Sequence, residues 1–353
     1  MKHFHFIFLL GLAALVAFNA PAFAQMRDRV GDDFGRADIN DDGKLTPVEW
    51  HRRGNFVRLD TDGDGYLSLP EVRALYEGHD NRPYDWPPAG LRRSTPERDL
   101  SLDKDWIDSE TLDRKTKCAI ARGRMCDPGA PVKRGLLETG LGPVFPNSAV
   151  CHGIDDTFAL DYTFKRSREA YHGGIDLPAR WGTPMIAAAA GTVVGKFQGD
   201  RSARGIEIVL RHTPEDTGLP VWVYTGYGHL DRMPDLDVGQ RIGLGEIIGP
   251  TGNSGVSGRK KRKQSSLRRP AIHFSAFYSE TEKFAIHRDV VVPVQGHWVD
   301  PVALYRQKMP LESEALKNLP DEEKGVPIAV IFEDGQASSA SAKFVWPYMC
   351  GRG

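Results

Sequence analysis

At 353 residues, with a formal charge of −1, 40% apolar residues and a mean hydropathy of −0.40, the chain has room for roughly two domains with packed cores. The near-neutral balance excludes a nucleic-acid partnership driven by net charge, so any electrostatic role is local. No stretch beyond the N-terminus is long and apolar enough to cross a bilayer.

Residues 1–24 read as a signal peptide. Lys2 supplies the positive start, residues 4–18 are almost wholly apolar, and Ala22, Phe23 and Ala24 form a small-x-small cleavage site before Gln25. The expectation is an exported protein, periplasmic or secreted. Export changes the meaning of Cys118, Cys126, Cys151 and Cys350: in an oxidising compartment four cysteines suggest two disulfides, for which three connectivities exist. Cys118 and Cys126 are close enough for a local bridge, which would leave Cys151 to Cys350. No Cys-x-x-Cys pair occurs, which argues against a cysteine-bound zinc.

Residues 25–77 contain two twelve-residue segments with the ligand spacing of EF-hand calcium loops. In residues 38–49 the ligand positions are Asp38, Asn40, Asp42, Lys44, Thr46 and Glu49; in residues 60–71 they are Asp60, Asp62, Asp64, Tyr66, Ser68 and Glu71. Calcium takes six to eight hard oxygens, so carboxylates or amides stand at positions 1, 3 and 5, main-chain carbonyls come from Lys44 and Tyr66, and a bidentate glutamate closes each loop. Gly43 and Gly65 permit the sharp turn at position 6, and Leu45 and Leu67 fall where paired loops touch through a short strand. Thr46 with Glu49, and Ser68 with Glu71, are capping boxes with a proline in the first helical turn. The expectation is two calcium ions in a small helical unit, held for structure more than for switching.

Residues 78–139 form the connector. Its first part, to about Leu100, is Pro-rich and charged and reads as an extended linker. Residues 105–124 suggest a polar helix, and Trp86 and Trp106 read as packing residues.

From His172 the pattern turns to metal chemistry. His172 and Asp176 flank Gly173 and Gly174, a turn that folds two side chains toward one ion. His273 lies between the apolar Ile272 and Phe274, so a strand there presents it to one face. Catalytic zinc takes three nitrogen or oxygen ligands and keeps one position open. The combination of residues 172–178 and 182–195 with 227–230, 238–240, 245–249, 251–255, 272–274 and 299–301 resembles the lysostaphin-type, or LytM-type, zinc metallopeptidases over about residues 140–306. That resemblance implies one zinc on His172, Asp176 and His273, with His229 as a catalytic residue and peptidoglycan peptides as the substrate class. His51, His79, His152 and His212 read as structural or surface residues.

The chain departs from the family in two places. A second catalytic histidine belongs two residues before the last ligand, where this chain has Ala271. One general acid or base is worth roughly 100- to 10,000-fold in rate, so the gap implies slow catalysis or none. His287 and His297 lie downstream as alternative sources of an imidazole. The second departure is the basic segment 259–269, which reads either as a solvated loop or as a cationic lip for an anionic polymer.

Runs at 192–197, 205–211, 221–227 and 271–278, separated by glycine-containing turns, predict a mainly β catalytic domain with a lysostaphin-like antiparallel core behind the small helical EF-hand domain. Residues 307–353, with a strand candidate at 326–332, read as a C-terminal appendage. The leading function is zinc metalloendopeptidase action on peptidoglycan cross-links. The alternatives are a catalytically inactive, zinc-retaining cell-wall binding or regulatory module and, third, a calcium-dependent adhesion protein.

Overall fold

The computed structural model describes residues 31, 34–50, 56, 64–77, 97–123, 125–154, 172–199, 202–255 and 270–353. The expected signal peptide, Asp60 and Asp62 of the second calcium loop, the linker up to residue 96 and the basic segment 259–269 lie outside the described residues.

In the N-terminal unit, strand β1 (Lys44–Leu45) pairs antiparallel with β2 (Leu67–Ser68), setting Leu45 opposite Leu67. Helices Pro47–Trp50 and Leu69–Glu77 leave these strands. Both starts are closed reciprocally, as the sequence requires. Glu49 Oε2 accepts from the Thr46 amide at 2.8 Å and Thr46 Oγ1 from the Glu49 amide at 3.3 Å, while the Ser68–Glu71 pair repeats this at 2.8 and 3.4 Å.

The expected polar helix over 105–124 is instead broken into helix Leu102–Asp105, a 3₁₀ turn at Ser109–Thr111 and helix Arg114–Ile120. Two aspartates explain the breaks. Asp108 and Asp113 take extended backbone angles, and their side chains accept from the Glu110 and Thr116 amides, so each starts a new turn and ends the previous one. This segment is clamped to the domain by Arg211, 1% exposed, whose guanidinium reaches Asp105 at 2.6 Å and Asp99 at 3.2 Å and lies over the Trp222 ring. Burial opposes ionisation of Asp99, but hydrogen bonds from Ser101 and Thr192 and the Arg211 charge prevail and bring its pKa down to about 2.

The short strands β3 (Gly142–Val144) and β4 (Ala149–Val150) precede the main sheet. The sheet uses β5 (Ile175–Pro178), β7 (Gly191–Phe197), β8 (Ile206–His212), β9 (Trp222–Leu230), β10 (Arg241–Ile242), β12 (Ala271–Ser279) and β15 (His297–Trp298), all paired antiparallel. Its order is β10-β7-β8-β9-β12-β15, with β5 beside the first half of β12. Two further two-stranded sheets accompany it: β6 (Pro184–Ile186) with β11 (Ile247–Pro250), and the hairpin of β13 (Phe284–Ile286) with β14 (Val291–Pro293). The four runs expected as strands are β7, β8, β9 and β12.

The C-terminal residues are not an appendage. Strand β16 (Gly325–Pro327) runs parallel to β3 and β17 (Gly351–Arg352) antiparallel to β4. Leu311, Leu316, Val326, Val330, Phe344, Trp346 and Tyr348 enter the same hydrophobic core as the sheet. The strand expected over 326–332 is confined to Gly325–Pro327; Ile328 still donates to the Val144 carbonyl at 2.9 Å, and Ile331 and Phe332 then turn to other partners, bridging Ala337 and Cys350. Disulfides join Cys118 to Cys126 and Cys151 to Cys350, the second fastening the last residues to the start of the domain.

His212 is fully buried and structural. Its Nδ1 donates to the Ala190 carbonyl at 2.6 Å, and its Nε2 lies 2.7 Å from the Thr225 hydroxyl. Burial holds its pKa down to about 4. The unfolded chain therefore takes up this proton first, near pH ~6.5. The stabilisation linked to neutral His212 is complete above that pH and is lost as pH falls toward about 4, amounting to about 3 kcal/mol. Denaturant titrations of wild type and His212→Gln should differ by about that amount in the total stability change across this window; parallel curves would contradict it.

Candidate metal centre

The centre is built on β12. On one edge His273 pairs with Asp176 of β5, and on the other with Gly228 of β9. His172 stands in the turn just before β5. Asp176 Oδ1 lies 3.1 Å from His172 Nε2 and 3.0 Å from His273 Nδ1. All three residues are buried, at 9%, 4% and 3% exposure. With metal–ligand bonds of about 2.0–2.1 Å, ligands of a tetrahedral zinc sit about 3.3 Å apart, so the spacing and the nitrogen and oxygen donor set fit that ion. Among the described residues this trio is the one group of histidine, cysteine and acidic side chains whose ligand atoms all fall within 4.8 Å of one another.

The two glycines have separate reasons. Gly173 adopts φ +79°, and a Cβ there would lie 2.5 Å from Arg122 Nη2 and 2.6 Å from the Trp298 ring. A Cβ on Gly174 would lie 2.7 Å from His273 Cε1, in the space the imidazole needs to reach Asp176. Arg122 is a contributor that the sequence pattern did not reveal. It stacks over Trp298 at 4.7 Å and donates to the His172 carbonyl at 3.3 Å. Burial lowers its pKa to about 10, with Arg204 acting the same way and Glu207 opposing. Nothing in local sequence spacing links residues 122 and 172.

His229 is the next-to-last residue of β9, with its ring centroid 5.7 Å from that of His273. Its φ of +65° is unusual for a residue with a Cβ, and its backbone is held on both sides. The His229 amide donates to the Arg204 carbonyl at 2.7 Å, and its carbonyl accepts from the Gly252 amide at 3.0 Å. Nδ1 donates to the Ser254 carbonyl at 2.9 Å, which fixes the tautomer and makes Nε2 the proton-accepting nitrogen.

Ala271 is 5% exposed and opposes Pro178, with its amide on the Gly252 carbonyl at 3.2 Å. It shares a strand face with His273, two residues on. His297 does not fill this gap: it pairs with Tyr278, about 20 Å along β12 from Ala271, stacks on that tyrosine and meets Arg134 at 3.0 Å. His287 sits in the turn between β13 and β14.

In the first of the two expected calcium loops, Asp38 accepts from the Asp42 and Gly43 amides at 3.1 and 2.7 Å, and Asp42 from the Lys44 amide at 2.9 Å. Glu49 Oε1 accepts from the Ile39 amide at 3.0 Å, so the closing glutamate returns to the start of the loop. In the second loop, Asp64 accepts from the Tyr66 amide at 2.9 Å. Gly43 and Gly65 take φ +77° and +82°, the left-handed turn that position 6 demands. These oxygen-rich turns have the donor chemistry of calcium sites.

The profile of Peptidase family M23 matches residues 170–284, and an EF-hand profile matches residues 56–76. No curated protein sequence matches the chain. Among solved structures, the chain is similar to a mutant catalytic domain of the prophage-encoded M23 protein EnpA from Enterococcus faecalis, at 24% identity over 38% of this chain and 85% of that one, with a TM-score of 0.27. It is also similar to the catalytic domain of the antimicrobial peptidase lysostaphin from Staphylococcus simulans, at 23% identity over 38% of this chain and 85% of that one, TM-score 0.27. A zinc-containing peptidase from Vibrio cholerae matches at 23% identity over 31% of this chain and 28% of its own, TM-score 0.24. Residues 170–284 thus match peptidase family M23, and residues 56–76, ahead of that segment, match an EF hand.

Proposed function

We propose that the protein is an exported, calcium-binding zinc metalloendopeptidase that hydrolyses peptide cross-links of peptidoglycan, and that Ala271 weakens it. The observation that carries this reading is the convergence of His172 Nε2, Asp176 Oδ1 and His273 Nδ1, with the His229 ring beside them. A zinc ion held by those atoms would supply Lewis acidity and a nucleophile near neutral pH. The protein's own contribution centres on His229. Its Nδ1 proton is committed to the Ser254 carbonyl, so Nε2 takes a proton from the attacking group and later returns it to the leaving amine. Ala271 offers neither a donor nor an acceptor where the family supplies a second imidazole, so oxyanion stabilisation or proton transfer there is lost.

Digestion of purified cross-linked muropeptides by zinc-loaded protein tests the proposal. Mass spectrometry should show dimers converted to monomers, and a chelator should stop the reaction. Ala271 also favours a second reading, a zinc-retaining cell-wall binding module, which predicts full zinc loading and no cleavage.

Calcium on the two loops should stabilise the folded chain by mass action. Thermal melts with and without calcium should show a rise in Tm for wild type that is absent from the Glu49→Gln, Glu71→Gln double variant. A double variant that responds like wild type would place calcium elsewhere.

A further inference from the structure

Trp181, in the turn between β5 and β6, packs against the core of the EF-hand unit: Phe34, Ala37, Leu45, Trp50, Leu67 and Val72. It is the one member of that cluster contributed by the peptidase domain among the described residues. We propose that the apolar face of the EF-hand unit is a docking surface whose partner is the chain's own M23 domain, with Trp181 as the anchor, so that calcium occupancy and the wall carrying His229 are energetically linked. The inference rests on the reading of the loops as calcium sites.

The cluster is tied directly to the calcium positions. Leu45 and Leu67 follow Lys44 and Tyr66, the residues that offer main-chain carbonyls, and they face each other across β1 and β2. Trp50 and Val72 immediately follow the closing glutamates Glu49 and Glu71, and both are fully buried. Each closing glutamate is thus covalently next to a buried residue of the cluster against which Trp181 packs.

On the other side, Trp181 reaches the site in few steps. Its indole nitrogen donates to Asp231 Oδ1 at 3.0 Å, and Asp231 is two residues beyond His229. The Asp231 amide donates to the Pro250 carbonyl at 3.0 Å, and the Gly252 amide to the His229 carbonyl at 3.0 Å. The Trp181 turn is joined to the same segment: Gly182 donates to the Thr251 carbonyl at 2.8 Å, and Thr251 to the Thr183 carbonyl at 2.9 Å. Residues 181–183, 229–231 and 250–252 thus form one hydrogen-bonded wall, whose outer surface is the docking site and whose inner surface holds His229. Gly252 has no room to yield, since a Cβ there would lie 2.4 Å from Asp231 Cα.

Coupling of binding free energies is reciprocal, so a domain that calcium helps to dock must in turn raise calcium affinity. Calcium titration by chelator competition, on the full chain, compares wild type, Trp181→Ala and Trp181→Phe, which keeps an aromatic anchor and loses the indole N–H. Trp181→Ala should weaken calcium binding by about 5-fold or more, with Trp181→Phe between it and wild type. Amide hydrogen exchange should show residues 229–231 and 250–252 slowed by calcium in wild type and indifferent to it in Trp181→Ala. Should Trp181→Ala fail to fold, Trp181→Phe carries the test through its loss of calcium-dependent protection at 229–231. Calcium binding by wild type, with equal affinity and equal protection in the folded variants, overturns the linkage alone. A wild type that binds no calcium overturns the loop assignment and the linkage together.

Discussion

Replacing His229 with alanine should reduce peptidoglycan cleavage by ~100- to 10,000-fold while leaving zinc content unchanged. The expectation follows from the separation of roles in the site. His172, Asp176 and His273 present ligand atoms to one point, whereas His229 is held by its Nδ1 on the Ser254 carbonyl with its ring beside that of His273. A strained backbone, φ +65°, fixed by hydrogen bonds to the Arg204 carbonyl and from the Gly252 amide, is difficult to explain as packing alone. Loss of zinc from His229→Ala would make it a ligand, and unchanged cleavage would remove it from the chemistry.

Ala271→His should raise the rate by ~10- to 100-fold, because it restores an imidazole on the strand face that presents His273. The position is buried at 5% exposure, so the larger side chain carries an overpacking cost of about 1–3 kcal/mol unless it points into the site. Rate and thermal stability must therefore be measured together. A folded, zinc-loaded variant no faster than wild type would show that the missing imidazole does not limit catalysis.

The site was legible in the sequence to the extent that it depends on local spacing. His172, Gly174 and Asp176 lie in one short stretch, and His273 is flanked by apolar neighbours that alternate on a strand, so turn chemistry and periodicity make them candidates, and the resemblance to the lysostaphin type joins them into one ligand set. The four main strands were legible for the same reason. The contributions of Arg122 and Trp181 were not, because each acts through a contact across some fifty residues: Arg122 with the His172 carbonyl, and Trp181 with Asp231. Two structural expectations failed on identifiable residues. Asp108 and Asp113 capped new turns where a continuous helix was expected, and Ile331 and Phe332 turned to Ala337 and Cys350 where apolar content alone would have continued a strand. The C-terminal segment read as separate because its apolar residues are scattered along the chain. The pairings of β16 with β3 and of β17 with β4, together with the Cys151–Cys350 bridge, bring them into the shared core.

The claim on which the rest depends is that His172, Asp176 and His273 hold a single zinc ion. Metal analysis of purified wild type beside the variant with all three replaced by alanine tests it most directly, with circular dichroism to confirm that both are folded. The account predicts about one zinc per chain in wild type and background zinc in the folded variant. Stoichiometric zinc retained by that variant would contradict it.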